Sequence, residues 1–291
     1  ITGSAGAPVR VNTPDEDGIS FDFYYGQLEF SMWHAASLVE IADRFYHLLA
    51  LAHSYFSARG HRITGMGTNP VAGEGEIPYT EDNFYRIISG FMKQHTSYRS
   101  ERYIFSNMFS NQTHIDVAGP RFFQTFNLML RLNFVGGLLF SNSLPNPATL
   151  PPGRAYPEGV LCARDYNWKY SELPATGCFD GVFHTVEELT GFVAQMEMFL
   201  EQDSGSGAVV PIKRISINRF FEDSRKAASN FSLFRMFANV ALNHYHSLEI
   251  RSDCVQPVSE TFAPNAFHLG IVYNLEEAQA HTARFFADND I

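Results

Sequence analysis

"HYHSLEIRSD", residues 244–253, holds two histidines, a glutamate and an arginine within eight positions. Read as a strand, its alternate side chains share a face. His244, His246, Leu248 and Ile250 then fall on one side, and Tyr245, Ser247, Glu249 and Arg251 on the other. That reading puts a sheet into the fold and sets a carboxylate beside a guanidinium on one of its faces. From spacing alone, the plain interpretation of Glu249 and Arg251 is a partly exposed ion pair of small energetic weight. His244 and His246 have the look of a zinc pair, but no cysteine or acidic residue stands at useful spacing on their face.

Working outward, helices and strands mix along the chain. "FDFYYGQLEFS" (21–31) is aromatic-rich and reads as a strand. "SLVEIADRFYHLLALAHSYFSARG" (37–60) repeats apolar residues at helical spacing and stops at Gly60. "HRITGMGTNP" (61–70) reads as a short strand leaving that helix. Residues 81–99 read as a helix with Phe84, Ile87, Ile88 and Phe91 on one stripe. "YIFSNMFSNQTHIDVAG" (103–119) reads as a strand pair or one long strand, and residues 122–140 as a buried helix. Five prolines between Pro145 and Pro157 make 144–160 an extended surface loop. "TVEELTGFVAQMEMFLEQ" (185–202) reads as an amphipathic helix with Thr185 and Glu188 as a capping box. Residues 204–207, "SGSG", read as a flexible tip, 219–239 as helical, and 275–287 as a closing helix. The pattern predicts a single α+β domain over residues 1–291.

Bulk properties narrow the function. A formal charge of −10 over 291 residues excludes a broad nucleic-acid surface, which needs clustered Lys and Arg. It leaves room for an anionic ligand, since a few arginines or a metal ion reverse the local field. Three cysteines without CxxC spacing suit a reducing compartment and a cytoplasmic location. The stretch "FFQTFNLMLRLNFVGGLLF" (122–140) is broken by Gln124, Asn127, Arg131 and Asn133, so it reads as buried rather than membrane-spanning. The opening "ITGSAGAPVR" has neither an initiator methionine nor a signal-peptide core, so the start reads as processed, engineered or incomplete.

Three polar constellations lie in segments read as strands. They are Asp22, Gln27 and Glu29; Gln112 and His114; and Glu249 and Arg251. Asp22 and Glu29 are seven apart, which faces them oppositely on a regular strand. Gln112 and His114 are two apart and share a face. Carboxylates with an imidazole can hold a hard cation such as Mg²⁺, and a neighbouring arginine can neutralise phosphate oxygens. The plain alternatives are a structural histidine at 114 and a turn cap at Asp22. Pattern alone supports a cleft for an anion and a metal.

Several motifs in order resemble the glutamate–cysteine ligases (γ-glutamylcysteine synthetases) of the carboxylate–amine ligase group. "DFYYGQLEFS" looks like that family's metal-binding strand, and "GHRITGMGTNP" the short strand after its first long helix. "NQTHIDV" is similar to the strand where bacterial members place a histidine and plant-type members a glutamine. "LLFSNSLPN" resembles the Ala-Asn-Ser-Pro turn, and "RDYNW" the Arg-Ser-x-x-Trp segment near the amino-acid substrate. "HSLEIRSD" resembles the Tyr-(Ile/Leu)-Glu-(Val/Met)-Arg signature, and "APNAFHLGIVYN" the Leu-Pro-Ala-Phe-Trp-Val-Gly segment.

The resemblance implies a curved, largely antiparallel sheet forming a funnel-like, glutamine-synthetase-like active site with helices packed outside. It implies that Glu249, Glu29, Asp22 and His114 hold Mg²⁺ and that Arg251 contacts the transferring phosphate. Arg164, with Gln27, Trp168 and Gln112, would bind substrate. ATP would phosphorylate the γ-carboxylate of glutamate, and the cysteine amine would displace phosphate. The implied partners are glutamate, cysteine and ATP, with no nucleic acid or membrane, and the oligomeric state stays open. Family members open with a Gly-x-Glu-x-Glu strand, and none precedes residue 20 here. The expectation is therefore either a piece of a larger ligase or a homologue that has lost part of its metal and nucleotide site. The alternative function is a non-catalytic or altered-specificity homologue that binds glutamate or another amino acid.

Overall fold

The computed structural model describes residues 10–69, 80, 83–95, 108–117, 119–146, 150, 153–168, 176–223, 226, 228–243 and 247–289. The chain divides into two compact units whose segments alternate in sequence. The first holds Ile1–Phe109, Asn142–Asn167 and Val255–Ala263; the second holds Ser110–Ser141, Trp168–Cys254 and Pro264–Ile291. Each has its own sheets and helices, so the α+β mixture expected from the sequence is present. Among the described residues the sheets are small, mostly antiparallel and form no closed barrel.

In the first unit, β1 (Arg10–Asn12), β2 (Gly18–Phe21) and β3 (Leu28–Ser31) form an antiparallel meander. The strand expected over 21–31 is instead the neck of a hairpin. Gln27 N–H donates to the Tyr24 carbonyl at 2.9 Å and Asp22 N–H to the Gln27 carbonyl at 3.1 Å, which folds the chain back through Gly26. The aromatic run has strand propensity on both arms, and this local turn divides it. Helix α1 (Leu38–Ser57) follows as expected. Ser37 Oγ accepts from Val39 N–H at 3.1 Å. Gly60, at φ +79°, lets His61 N–H reach back to the Phe56 carbonyl at 3.0 Å. Phe45, Leu48, Leu49 and Ala52 form its buried stripe, and Phe45 meets Phe30 and Phe262 edge-on.

Residues 61–70 were expected to form a strand. Those described are irregular, with one isolated bridge from Thr68 to Met108. Asn142 holds this loop by donating to the carbonyls of Gly65 and Val255 at 2.9 and 2.8 Å. Gly65 lies flat on the Gln256 backbone, where a Cβ would come within 2.0 Å of the carbonyl oxygen. Helix α2 (Asn83–His95) buries Ile88 and Phe91 of the expected stripe, leaves Phe84 and Ile87 partly buried, and buries Met92 beside them. The described residues of the 144–160 loop are in neither helix nor strand, and α3 (Phe122–Leu139) occupies the range expected for the buried helix.

Helix α3 belongs to the second unit. Its Phe126, Leu128, Met129 and Leu130 enter the main core with Ile115, Val240, Leu248 and Ile250. Asn127, one of the residues that interrupts the apolar run, clamps Phe183. Its Nδ2 donates to the Phe183 carbonyl at 2.7 Å, and its Oδ1 accepts from Phe183 N–H at 3.0 Å. No helix among the described residues is long and apolar enough to cross a membrane. Helix α4 (Ala163–Trp168) spans the boundary between the units' sequence segments.

Residues 185–202 depart from expectation. Helix α5 covers only Val186–Val193, and Glu197–Gln202 is a strand, here β6 once β5 (Thr176–Gly177) is counted. The run "AQMEMFL" satisfies either period. Pairing with β7 (Val209–Ser216) decides for strand and buries Met198 with Ile217 and Phe220. Thr185 caps α5 by accepting from Glu188 N–H at 3.1 Å, and the Glu188 carboxylate accepts from His184 N–H at 2.6 Å. Thr185→Ala is expected to cost about 1 kcal/mol, the usual worth of such a cap, read as a lower urea midpoint at unchanged m-value.

The tip at 204–207 is a hydrogen-bonded turn. Asp203 accepts from Gly205 N–H, Ser206 N–H and Ser206 Oγ. The Ser206 hydrogen bonds hold its carboxyl below the ordinary aspartate range. The helix expected over 219–239 is broken up. A short helix α6 (Ile217–Phe221) and a 3₁₀ turn (Ala228–Leu233) precede strands β8 (Phe237–Ala238) and β9 (Val240–Leu242). β10 is Leu248–Ile250. The chain closes with α7 (Ala263–Tyr273), which the sequence reading did not assign, and α8 (Leu275–Asp288), the expected last helix.

Candidate functional site

The opening stretch forms the centre of a three-stranded antiparallel sheet in the second unit, ordered β4–β10–β9 with β4 at Thr113–Ile115. Only part of it is described, and His244 and His246 lie outside the described residues. The register opposes Glu249 to His114 on one side and to Ala241 on the other. Leu248 and Ile250 face the core, opposite Ile115 and Thr113, and the alternation sends Glu249 and His114 to the other face. Directly opposed side chains in such a pair have Cβ atoms about 4.5–5.5 Å apart.

Arg251 follows the strand and stays on the polar face. Its backbone N–H donates to the Asn239 carbonyl at 2.7 Å, and its Nη1 lies 2.5 Å from Glu249 Oε1. The two side chains are 22% and 12% exposed, so the pair is more sheltered than the surface ion pair that spacing alone suggests. Glu249, His114 and Arg251, singled out in two separate sequence motifs, therefore share one sheet face. Gln112, exposed just before β4, donates to Ser110 Oγ at 3.3 Å. Trp168 stacks on Phe237, with ring centres 6.0 Å apart.

Asn243 was not anticipated, although it stands in "VALNHYH" beside the strand. Ser247 N–H donates to its Oδ1 at 3.1 Å, which fixes the amide. Its Nδ2 then lies 2.6 Å from His114 Nδ1 and can only donate. In the neutral ring His114 Nδ1 is thus an acceptor and Nε2 carries the hydrogen. Glu249 fits the role of an oxygen ligand for a hard cation. His114, in this tautomer, offers an N–H and not a lone pair at Nε2.

Behind the sheet, Asp253 and His268 form a second feature that the sequence reading missed. Asp253 is fully buried, and its Oδ2 accepts from His268 Nε2 at 2.7 Å. A Cβ at Gly136 of α3 would come within 2.5 Å of Asp253 Oδ1, so this approach requires glycine there. The Asp253 carbonyl also accepts from Asn111 N–H at 3.0 Å. These contacts fix how the chain leaves β10 just after Arg251.

The remaining expected residues belong to the first unit. Gln27 is buried; its Nε2 donates to the Met108 carbonyl at 3.4 Å, and its Oε1 has no hydrogen-bond partner among the described residues. Glu29 is exposed and accepts from Ser31 Oγ. Asp22 sits at the hairpin neck, so Asp22, Gln27 and Glu29 do not form one strand face. Arg164 lies in α4 with its side chain 4% exposed, 3.2 Å from Asp165, and its N–H donates to Ser143 Oγ. It is not a solvated loop residue. Within neither unit do three His, Cys, Asp or Glu side chains of the described residues gather as a metal-binding group. The three cysteines form no disulfide.

No protein-family model matches the chain, and no curated protein matches it significantly.

Proposed function

We propose that the chain is an ATP- and Mg²⁺-dependent carboxylate–amine ligase. In this reading it joins the γ-carboxylate of glutamate to the amine of cysteine through a γ-glutamyl phosphate, in a reducing cytoplasmic setting. The observation that carries the reading is the sheltered Glu249–Arg251 pair with His114 directly opposite, in a chain whose motifs resemble the glutamate–cysteine ligases in order. A glutamine-synthetase-like funnel is the architecture that accompanies it.

Phosphoryl transfer needs charge neutralisation and in-line positioning more than covalent help from the protein. Arg251 supplies a fixed positive charge and paired N–H donors to equatorial phosphate oxygens. Glu249 orients that guanidinium and would contribute one oxygen to Mg²⁺, which when bound neutralises part of the triphosphate charge. Arg164 would grip the glutamate α-carboxylate, and Gln27, Gln112 and Trp168 are the other residues to which the resemblance gives a substrate-binding role. Incubation with ATP, Mg²⁺, glutamate and cysteine should yield ADP and dipeptide. A folded preparation with no turnover would refute the reading.

Arg164→Lys is expected to raise the glutamate KM roughly ten- to a hundredfold, the usual worth of a charged hydrogen bond, with the ATP KM unchanged. Initial-rate kinetics in both substrates checks this; equal changes in the two constants would signal a folding defect instead. The close Glu249–Arg251 contact favours one second reading, because the two charges already neutralise each other. That reading is a non-catalytic or altered-specificity homologue that binds glutamate or another amino acid. Calorimetry separates the two, since such a binder takes glutamate without metal-dependent affinity for ATP.

A further inference from the structure

We infer that His114 is a hydrogen-bond donor to phosphate oxygens and not a metal ligand, its tautomer being set by Asn243. This rests on the phosphoryl-transfer reading above for its ligand, and on geometry alone for its chemistry. Two hydrogen bonds carry it. Ser247 N–H has a hydrogen to give and nothing to accept, so the Asn243 atom it reaches at 3.1 Å is the amide oxygen. The amide nitrogen, 2.6 Å from His114 Nδ1, then has only hydrogens to offer. Nδ1 spends its lone pair on that contact, and Nε2 holds the ring hydrogen.

A metal-binding histidine shows the reverse arrangement. Its remote nitrogen donates to a carboxylate or carbonyl, which frees the other lone pair for the ion. Here the remote partner is a donor. With Arg251 on the same sheet face and Glu249 directly opposite His114, the ring N–H and the guanidinium form a mixed donor set suited to an oxyanion of the phosphoryl class. His114 then helps choose among ligands: its N–H favours the phosphate, and the Glu249 carboxylate favours the cation.

The tautomer can be read directly from ¹⁵N–¹³C long-range correlations of the His114 ring in the intact protein. A protonated Nε2 and unprotonated Nδ1 are expected; the opposite assignment overturns the inference. Inorganic phosphate and ADP, each titrated with chelator present, test the function. His114→Ala should weaken both roughly tenfold or more, and His114→Gln, whose amide can donate from a similar place, should stay within about threefold of the parent. Unchanged phosphate affinity in His114→Ala overturns the donor role.

Asn243→Asp supplies an accepting oxygen in place of the donating nitrogen. It should move the ring hydrogen to Nδ1 and raise affinity for Zn²⁺ at least tenfold while weakening phosphate. Zn²⁺ bound through His114 as tightly in the parent as in Asn243→Asp would also overturn the inference. These measurements need no turnover. A protein that gives the expected tautomer and phosphate response yet makes no dipeptide would refute the ligase reading and leave this one standing.

Discussion

Arg251→Ala is expected to lower dipeptide formation by about 10²–10⁵-fold, the range seen when a charge-stabilising donor is removed from an acyl- or phosphoryl-transfer site. The variant keeps its fold, because Arg251 holds the sheet through its backbone N–H to Asn239, which alanine retains. The Arg251 and Glu249 side chains are only 22% and 12% exposed, so losing the pair also carries a stability cost, which the melts read separately from the rate. Glu249→Gln keeps the shape and loses the charge, and its rate should recover partly at high Mg²⁺. If the pair were only structural, both variants would turn over at near-normal rates and lose a little stability. Steady-state kinetics alongside thermal melts distinguishes these outcomes, and near-normal turnover in Arg251→Ala removes the site assignment even if the ligase reading stands.

Phe126→Ala is expected to destabilise the second unit by about 3–5 kcal/mol. Phe126 is fully buried in α3, stacks on Phe122 with ring centres 5.7 Å apart, and meets Phe183 at 5.8 Å. Truncation leaves a cavity where α3 backs the sheet that carries Glu249. The adjacent Asn127–Phe183 clamp holds the cavity walls apart, which limits collapse into the space. Urea denaturation should show the loss as a lower midpoint. A change below ~1.5 kcal/mol would mean that the site repacks, which fully buried aromatic positions seldom manage.

What the sequence made legible was local. α1 could be read because its signals agree: Ser37 caps one end, a 45/48/49/52 stripe runs along it, and Gly60 closes the other. α3 could be read because its apolar density outweighs four polar interruptions, one of which, Asn127, clamps Phe183. Residues 197–202 were misread as helix because the alternatives differ only in a partner strand that appears later in the chain. The 22–27 turn was missed because aromatic residues on both arms hide it. Of the site, Glu249 and Arg251 were legible from parity, since two-residue spacing places them together whatever the sheet. That His114 opposes Glu249 was not, because pairing between distant strands leaves no periodic mark in either one. Asn243 and the Asp253–His268 pair were invisible for the same reason: their importance lies in partners found by folding.

That distant pairing also sets a schedule during synthesis. β4 is made early, yet its ladder partner is β10, which emerges only after most of the second unit has been translated. At ~5–20 residues per second, the edge of Thr113–Ile115 waits on the order of ten seconds or more for Leu248–Ile250. During that interval its backbone donors and acceptors have no ladder, and Phe126 and Met129 of α3 lack the sheet they cover. A nascent chain halted before residue 248 should therefore depend on chaperones and be open to proteases near β4, and one extended past Ile271 should resist both.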